Sequence, residues 1–174
     1  MALEIGTKAP NFELTAHDGS RWELDSHTGR VRVLLFYPQN ETLVCTKQLC
    51  SVRDNWQEYL ATNAEIVGIS PSTPDENLAF AQKRRLPIPI LADPGRVTTS
   101  EFAKHWLLPT SLTRGIVVFD AHGIIRTSRV MLRAFRPSDA DVVRAIYEAR
   151  GDLLESKYKD IRSRLKRTKL SREF

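Results

Sequence analysis

The chain has 174 residues, 41% hydrophobic and 27% charged, enough for one self-sufficient domain that buries roughly 70% of the surface its unfolded chain would expose. No apolar run approaches the ~18 residues of a membrane span, and the opening MALEIGTKAPNFEL lacks the pattern of a signal peptide, so the sequence predicts a cytoplasmic protein. The net charge of +5 is concentrated in residues 155–174, with eight Lys/Arg against three Asp/Glu, and the neutral remainder argues against a nucleic-acid-binding body.

In chain order, FELTAHDGSRWEL predicts a hairpin. Phe12 and Leu14 alternate with polar neighbours, Asp18-Gly19 supplies the turn, and Trp22 and Leu24 resume the alternation. VRVLLFY follows as a strand buried on both faces, and EIVGIS and GIVVFD are two more runs of that kind. From Cys45 onward, Leu49, Val52, Trp56, Tyr59 and Leu60 recur at helical spacing. TPDENLAFAQKRR is a further helix, with Thr73 as N-cap, Pro74 at the first helical position and Glu76 closing a capping box. Lys83, Arg84 and Arg85 at its end complement the helix dipole. GRVTTSEFAKHW is a shorter helix candidate, VVFDAHGIIRTSRV a second hairpin turning between Asp120 and Gly123, and SDADVVRAIYEAR a helix capped by Ser138. Strands alternating with helices, with hairpins at both ends, predict an α/β domain with a mixed central sheet flanked by helices.

The only two cysteines, Cys45 and Cys50, sit where the first central strand ends and a helix begins, the end of an open α/β sheet at which chemistry gathers. The periodicity places Cys45 on the inward face in the first helical turn, where unpaired N–H groups and the dipole favour a thiolate. Cys50, about 140° further round, falls with Arg53, Asp54 and Gln57 on the polar face. Geometry alone leaves two readings of Cys45, a reactive thiol or a buried structural cysteine. In an ideal helix, Cα atoms five apart are separated by roughly 8.6 Å, beyond the roughly 4.4–6.8 Å of a disulfide. A bridge between the two would therefore require residues around 43 to 52 to unwind.

The segment FYPQNETLVCTKQLC resembles the active-site segment of peroxiredoxins, with Pro38, Thr42 and Cys45 at matching spacing. The second cysteine five residues on is similar to the bacterioferritin-comigratory-protein or Q subgroup, written YP…T..CTKE.C. IGTKAPNFEL is similar to that subgroup's N-terminus and TRGIVVFDAHGIIR to its later strand. The resemblance covers residues 4 to 150 in order. It implies a thioredoxin-like fold with an N-terminal hairpin and reduction of hydrogen peroxide or organic hydroperoxides without metal or organic cofactor. It assigns Cys45 as the peroxidatic thiolate, Thr42 and Arg114 as partners of thiolate and peroxide, and Pro38 as a pocket wall. Cys50 would condense with the Cys45 sulfenic acid, and thioredoxin or a similar dithiol would reduce the disulfide. Leu43-Val44 departs from the Pro-Gly that many members carry before the reactive cysteine. Two rivals remain: a one-cysteine peroxidase, and a non-enzymatic redox sensor or binding module that acts through the basic tail. A disulfide reductase fits less well, since its thiols usually lie three apart.

Residues 1–150 would form the peroxiredoxin domain and 151–174 a basic, amphipathic helical extension. Leu154, Tyr158, Ile161 and Leu165 make one apolar stripe there. Packing on its own domain or on a second subunit, giving a homodimer, is the expected role. The competing readings are an anionic membrane or nucleic acid and a disordered basic end. His17, His27, His105 and His122 are too scattered for a zinc site. His105 and Trp106 read as a core edge or loop, and Trp56 as core.

Overall fold

The computed structural model describes residues 3–151 and 159–165. The N-terminal hairpin forms as expected: β1 (Glu13–Ala16) pairs antiparallel with β2 (Arg21–Glu23), and Gly19 takes the positive φ of +85° that the turn requires. β3 (Arg32–Phe36), β4 (Glu65–Ser70) and β6 (Thr113–Phe119) are the three apolar runs, and β3 and β6 are buried at every position. A fourth inner strand, β5 (Ile90–Ala92), has only three residues and follows Pro87 and Pro89. It is too short to show a period, so no sequence pattern marks it. β7 (Ile125–Leu132) completes the second hairpin.

The seven strands run β2-β1-β5-β4-β3-β6-β7. β3, β4 and β5 are parallel to one another, while β1, β2, β6 and β7 join antiparallel. Both faces of this mixed sheet are covered. Along β3, Val33 and Leu35 enter one core cluster with Cys45, Tyr59, Phe80 and Ile146, whereas Leu34 and Phe36 enter the other with Trp22, Phe102 and Phe119. The alternation explains why the strand reads as an unbroken apolar run.

The expected helices appear as α3 (Pro74–Arg84), α4 (Val97–Phe102) and α5 (Asp139–Arg150). The Thr73–Glu76 capping box is complete, and Ser138 caps α5 by accepting from Asp141 N–H. The cysteine-bearing segment differs from the single helix expected. It is α1 (Leu43–Asp54) followed by α2 (Trp56–Ala61), separated at Asn55. Asn55 is the C-cap of α1, and Ser51 O accepts from both its backbone N–H at 3.0 Å and its Nδ2 at 3.1 Å. The register shifts at this break, leaving Leu60 51% exposed while Tyr59 stays in the core.

Beyond Gly151, residues 159–165 are helical, and Ile161 and Leu165 are buried in the core that holds Cys45 and α5. Arg164 lies 3.4 Å from Glu58 on α2. This half of the apolar stripe therefore packs on its own chain, while Leu154 and Tyr158 lie outside the described residues. No helix among the described residues is long and apolar enough to cross a membrane.

Candidate active site

β3 delivers the chain to the site, and its last paired residue, Phe36, faces Gly115 of β6. Tyr37 and Pro38 beyond it are still buried. The chain then reverses through Glu41, a non-glycine residue at φ +60°, held by Lys83 at 3.2 Å and Arg84 at 2.7 Å. The basic end of α3 thus fixes the loop in front of the cysteine as well as complementing its own dipole. Thr42 is the N-cap of α1, and its Oγ1 accepts from Cys45 N–H at 3.4 Å. Cys45 lies in the first turn with 1% of its surface exposed. Cys50 sits on the same helix, half-buried rather than on a wholly solvated stripe, and both thiols are free.

Arg114 approaches from β6. It is 1% exposed, and its Nη2 donates to Cys45 Sγ at 3.2 Å and to Arg133 O at 3.1 Å. Nη1 donates to Gln48 Oε1, while Arg114 Nε and Gln48 Nε2 are buried without a partner. A guanidinium can serve three acceptors in one plane, so it is locked in position against the sulfur. Thr42 and Arg114 thus both bond Cys45, the cap at its backbone N–H and the β6 guanidinium at its sulfur. Pro38 is drawn in by its carbonyl, which accepts from Arg96 Nη2 at 3.2 Å.

Several participants were not foreseen from the sequence. Gln48 is three residues from Cys45, hence on the same helical face, and stands where the resembled motif carries glutamate; both signals were available. Arg96 is set at φ +54° before α4, and nothing in its local sequence marks it. Behind the loop, Tyr37 Oη donates to Asn40 Oδ1 at 2.8 Å, and Asn77 Oδ1 receives from Asn40 Nδ2 at 2.9 Å and Ser70 Oγ at 2.7 Å. Burial pushes the Tyr37 phenol well above its ordinary pKa, so it stays neutral and donating. His105 and Trp106 form a loop, with Trp106 86% exposed and His105 Nδ1 accepting from the N–H groups of Leu107 and Leu108.

The AhpC/TSA family model matches residues 5–128. The chain is 37% identical over 126 residues to a chloroplastic peroxiredoxin Q of Triticum aestivum, covering 70% of this chain and 56% of that protein. It is 33% identical over 102 residues to the putative peroxiredoxin bcp of Coxiella burnetii, covering 59% and 68%. The chain belongs to the AhpC/TSA family, in its Q-type peroxiredoxin branch. Among solved structures, this peroxiredoxin chain superimposes on peroxidoxin BcpB from Mycobacterium tuberculosis with a TM-score of 0.71 at 27% identity, over 87% of this chain and 99% of the other. Reduced 2-Cys peroxiredoxin of Plasmodium vivax shares the fold, with a TM-score of 0.72 at 24% identity over 84% of each chain. The chain spans little more than half the length of the plant relatives, which are described as chloroplastic. Family membership therefore does not by itself assign the cytoplasmic address read from the sequence.

Proposed function

We propose that this peroxiredoxin is a thiol-dependent peroxidase acting on hydrogen peroxide and organic hydroperoxides. The observation that carries the reading is the Arg114 guanidinium, fixed by two further acceptors, 3.2 Å from a cysteine sulfur at a helix N-terminus. The Cys45 thiolate attacks the distal peroxide oxygen, the O–O bond breaks, and the sulfur is oxidised by two electrons to a sulfenic acid. The proximal oxygen leaves with a proton as water or an alcohol. Arg114 supplies donors to sulfur and to the oxygen on which charge develops, and its position requires no reorganisation during the step. In this reading Thr42, which receives the Cys45 N–H, serves the incoming peroxide with its hydroxyl, and Pro38 closes the wall against water.

In the second half-reaction the Cys50 sulfur displaces the sulfenic oxygen as water, forming the Cys45–Cys50 disulfide. A dithiol of the thioredoxin class then reduces the disulfide by exchange and becomes oxidised itself. Steady-state peroxide consumption with thioredoxin as reductant tests the assignment. Cys45→Ser is expected to abolish turnover. Cys50→Ser is expected to form the sulfenic acid but no intramolecular disulfide, and to lose thioredoxin-supported turnover. Unchanged turnover in Cys50→Ser would replace the two-cysteine cycle by a one-cysteine one.

A further inference from the structure

Closing a Cys45–Cys50 disulfide demands that α1 give up helical geometry between the two residues, yet the same helix continues to Asp54 and supports the core through Val52. Something must decide where the unwinding stops. The residue after Cys50 is Ser51, and its Oγ donates to Asp139 Oδ2. The same carboxylate oxygen accepts from Asn55 Nδ2 at 3.0 Å, at the junction of α1 and α2, and Asp139 Oδ1 accepts from Tyr59 Oη at 2.7 Å on α2. Asp139 is the first residue of α5, where the positive end of the helix favours a carboxylate. Tyr59 is 1% exposed, and burial together with the nearby Asp139 raises its pKa well above the ordinary value, so it remains a donor. On the other side of the helix, Arg53 Nη1 donates to Arg84 O at 2.6 Å. Between Leu43 and Cys50, by contrast, the side-chain hydrogen bonds among the described residues are the Thr42 cap and the two bonds from Arg114 to Cys45 Sγ and Gln48 Oε1, all centred on the reacting thiol.

We infer that Asp139 is a positioning residue for the resolving step: it anchors α1 from Ser51 onward, so that unwinding is confined to residues 43–50 and Cys50 is held at the fixed edge. The inference rests on the resolving role of Cys50. One end of the six-residue segment from Cys45 to Cys50 then stays tethered to a folded body. The Cys45 sulfenic acid swings toward a thiol whose backbone moves little, and the high effective concentration of an anchored partner is kept. Sulfur chemistry is unchanged by the anchor: Cys50 still displaces water from the sulfenic sulfur. Asp139 touches neither sulfur, and acts through Ser51, Asn55 and Tyr59.

The test is hydrogen exchange on reduced and peroxide-oxidised protein, with intact mass to certify loss of two hydrogen atoms, together with the rates of Cys45 oxidation and of disulfide closure. In the wild type, oxidation is expected to remove amide protection from residues 43–50 and to leave 52–61 as protected as in the reduced form. In Asp139→Asn the oxidation-induced loss should extend through α2. Closure should slow about tenfold, as expected for losing hydrogen bonds to a charged acceptor, while Cys45 oxidation changes less than about twofold. Ser51→Ala, which leaves the Tyr59 and Asn55 contacts in place, should shift closure in the same direction by less. A wild type whose protection loss runs through α2, or an Asp139→Asn protein that keeps the boundary at Ser51, overturns the inference. Failure of the wild type to form any disulfide overturns the resolving role of Cys50 instead, and this inference with it.

Discussion

Replacing Arg114 by lysine keeps the positive charge and removes the fork. In the native site the guanidinium serves Cys45 Sγ, Gln48 Oε1 and Arg133 O from one fixed plane, whereas an ammonium is a compact point charge that cannot hold all three directions. Loss of one preorganised donor to developing negative charge typically costs about 100- to 1000-fold in rate, so Cys45 oxidation in Arg114→Lys should fall by about that factor. Two acceptors left without their donor cost roughly 1–3 kcal/mol each, a sizeable part of the roughly 5–15 kcal/mol that holds a domain together. The variant should therefore fold but melt earlier. Rapid mixing with peroxide, quenched for intact mass, gives the first quantity, and urea unfolding gives the second. Oxidation within roughly threefold of wild type, a difference under 1 kcal/mol, in a variant that is measurably destabilised would show that Arg114 is structural and would refute the assigned role.

Three further outcomes follow from the packing. A Cβ on Gly115 would lie 2.6 Å from Ala103 Cβ and 3.6 Å from its Cα, so Gly115→Ala should cost about 1–3 kcal/mol in urea unfolding and slow Cys45 oxidation by displacing the adjacent Arg114. Ile161→Ala removes a side chain only 2% exposed and should cost about 2–5 kcal/mol; a neutral result in the same assay would mean the tail helix is not part of the core. At the opposite end of the sheet, burial opposes ionisation of Asp120, but N–H donation from Ile124 and His122 and the Arg126 guanidinium outweigh it and lower its pKa. Its stabilising contribution is full above the unfolded value of about 3.9 and is lost as pH falls through the lower folded value. Asp120→Asn should therefore be less stable at neutral pH by about 1–3 kcal/mol, with a shallower decline below pH ~4 and an unaltered rate of Cys45 oxidation.

Much of this architecture was legible because the decisive signals are local. The Thr73–Glu76 capping box, the Asp18-Gly19 turn and the β3 apolar run each specify their structure within a few residues. The mixed sheet followed from their order. β5 was not legible, because its three residues gain strand geometry only from β1 and β4 on either side. Nor was the break at Asn55, since the apolar period runs through it. At the site, the resemblance pointed to Cys45, Thr42 and Arg114, while Arg96 and Asp139 make contacts 58 and 88 residues distant in the chain, which no local pattern encodes. Gln48 was within reach, as a polar residue one turn from the thiol on a face that is otherwise buried.

The most direct test of the central claim is the stopped-flow rate of Cys45 oxidation by hydrogen peroxide and by a bulky alkyl hydroperoxide, with intact mass read at the end. The account predicts a rate orders of magnitude above that of a free cysteine for at least one of the two, ending in a mass loss of two hydrogen atoms. A rate no faster than free cysteine with either peroxide would contradict it, because the buried guanidinium beside the sulfur would then confer no peroxidase chemistry.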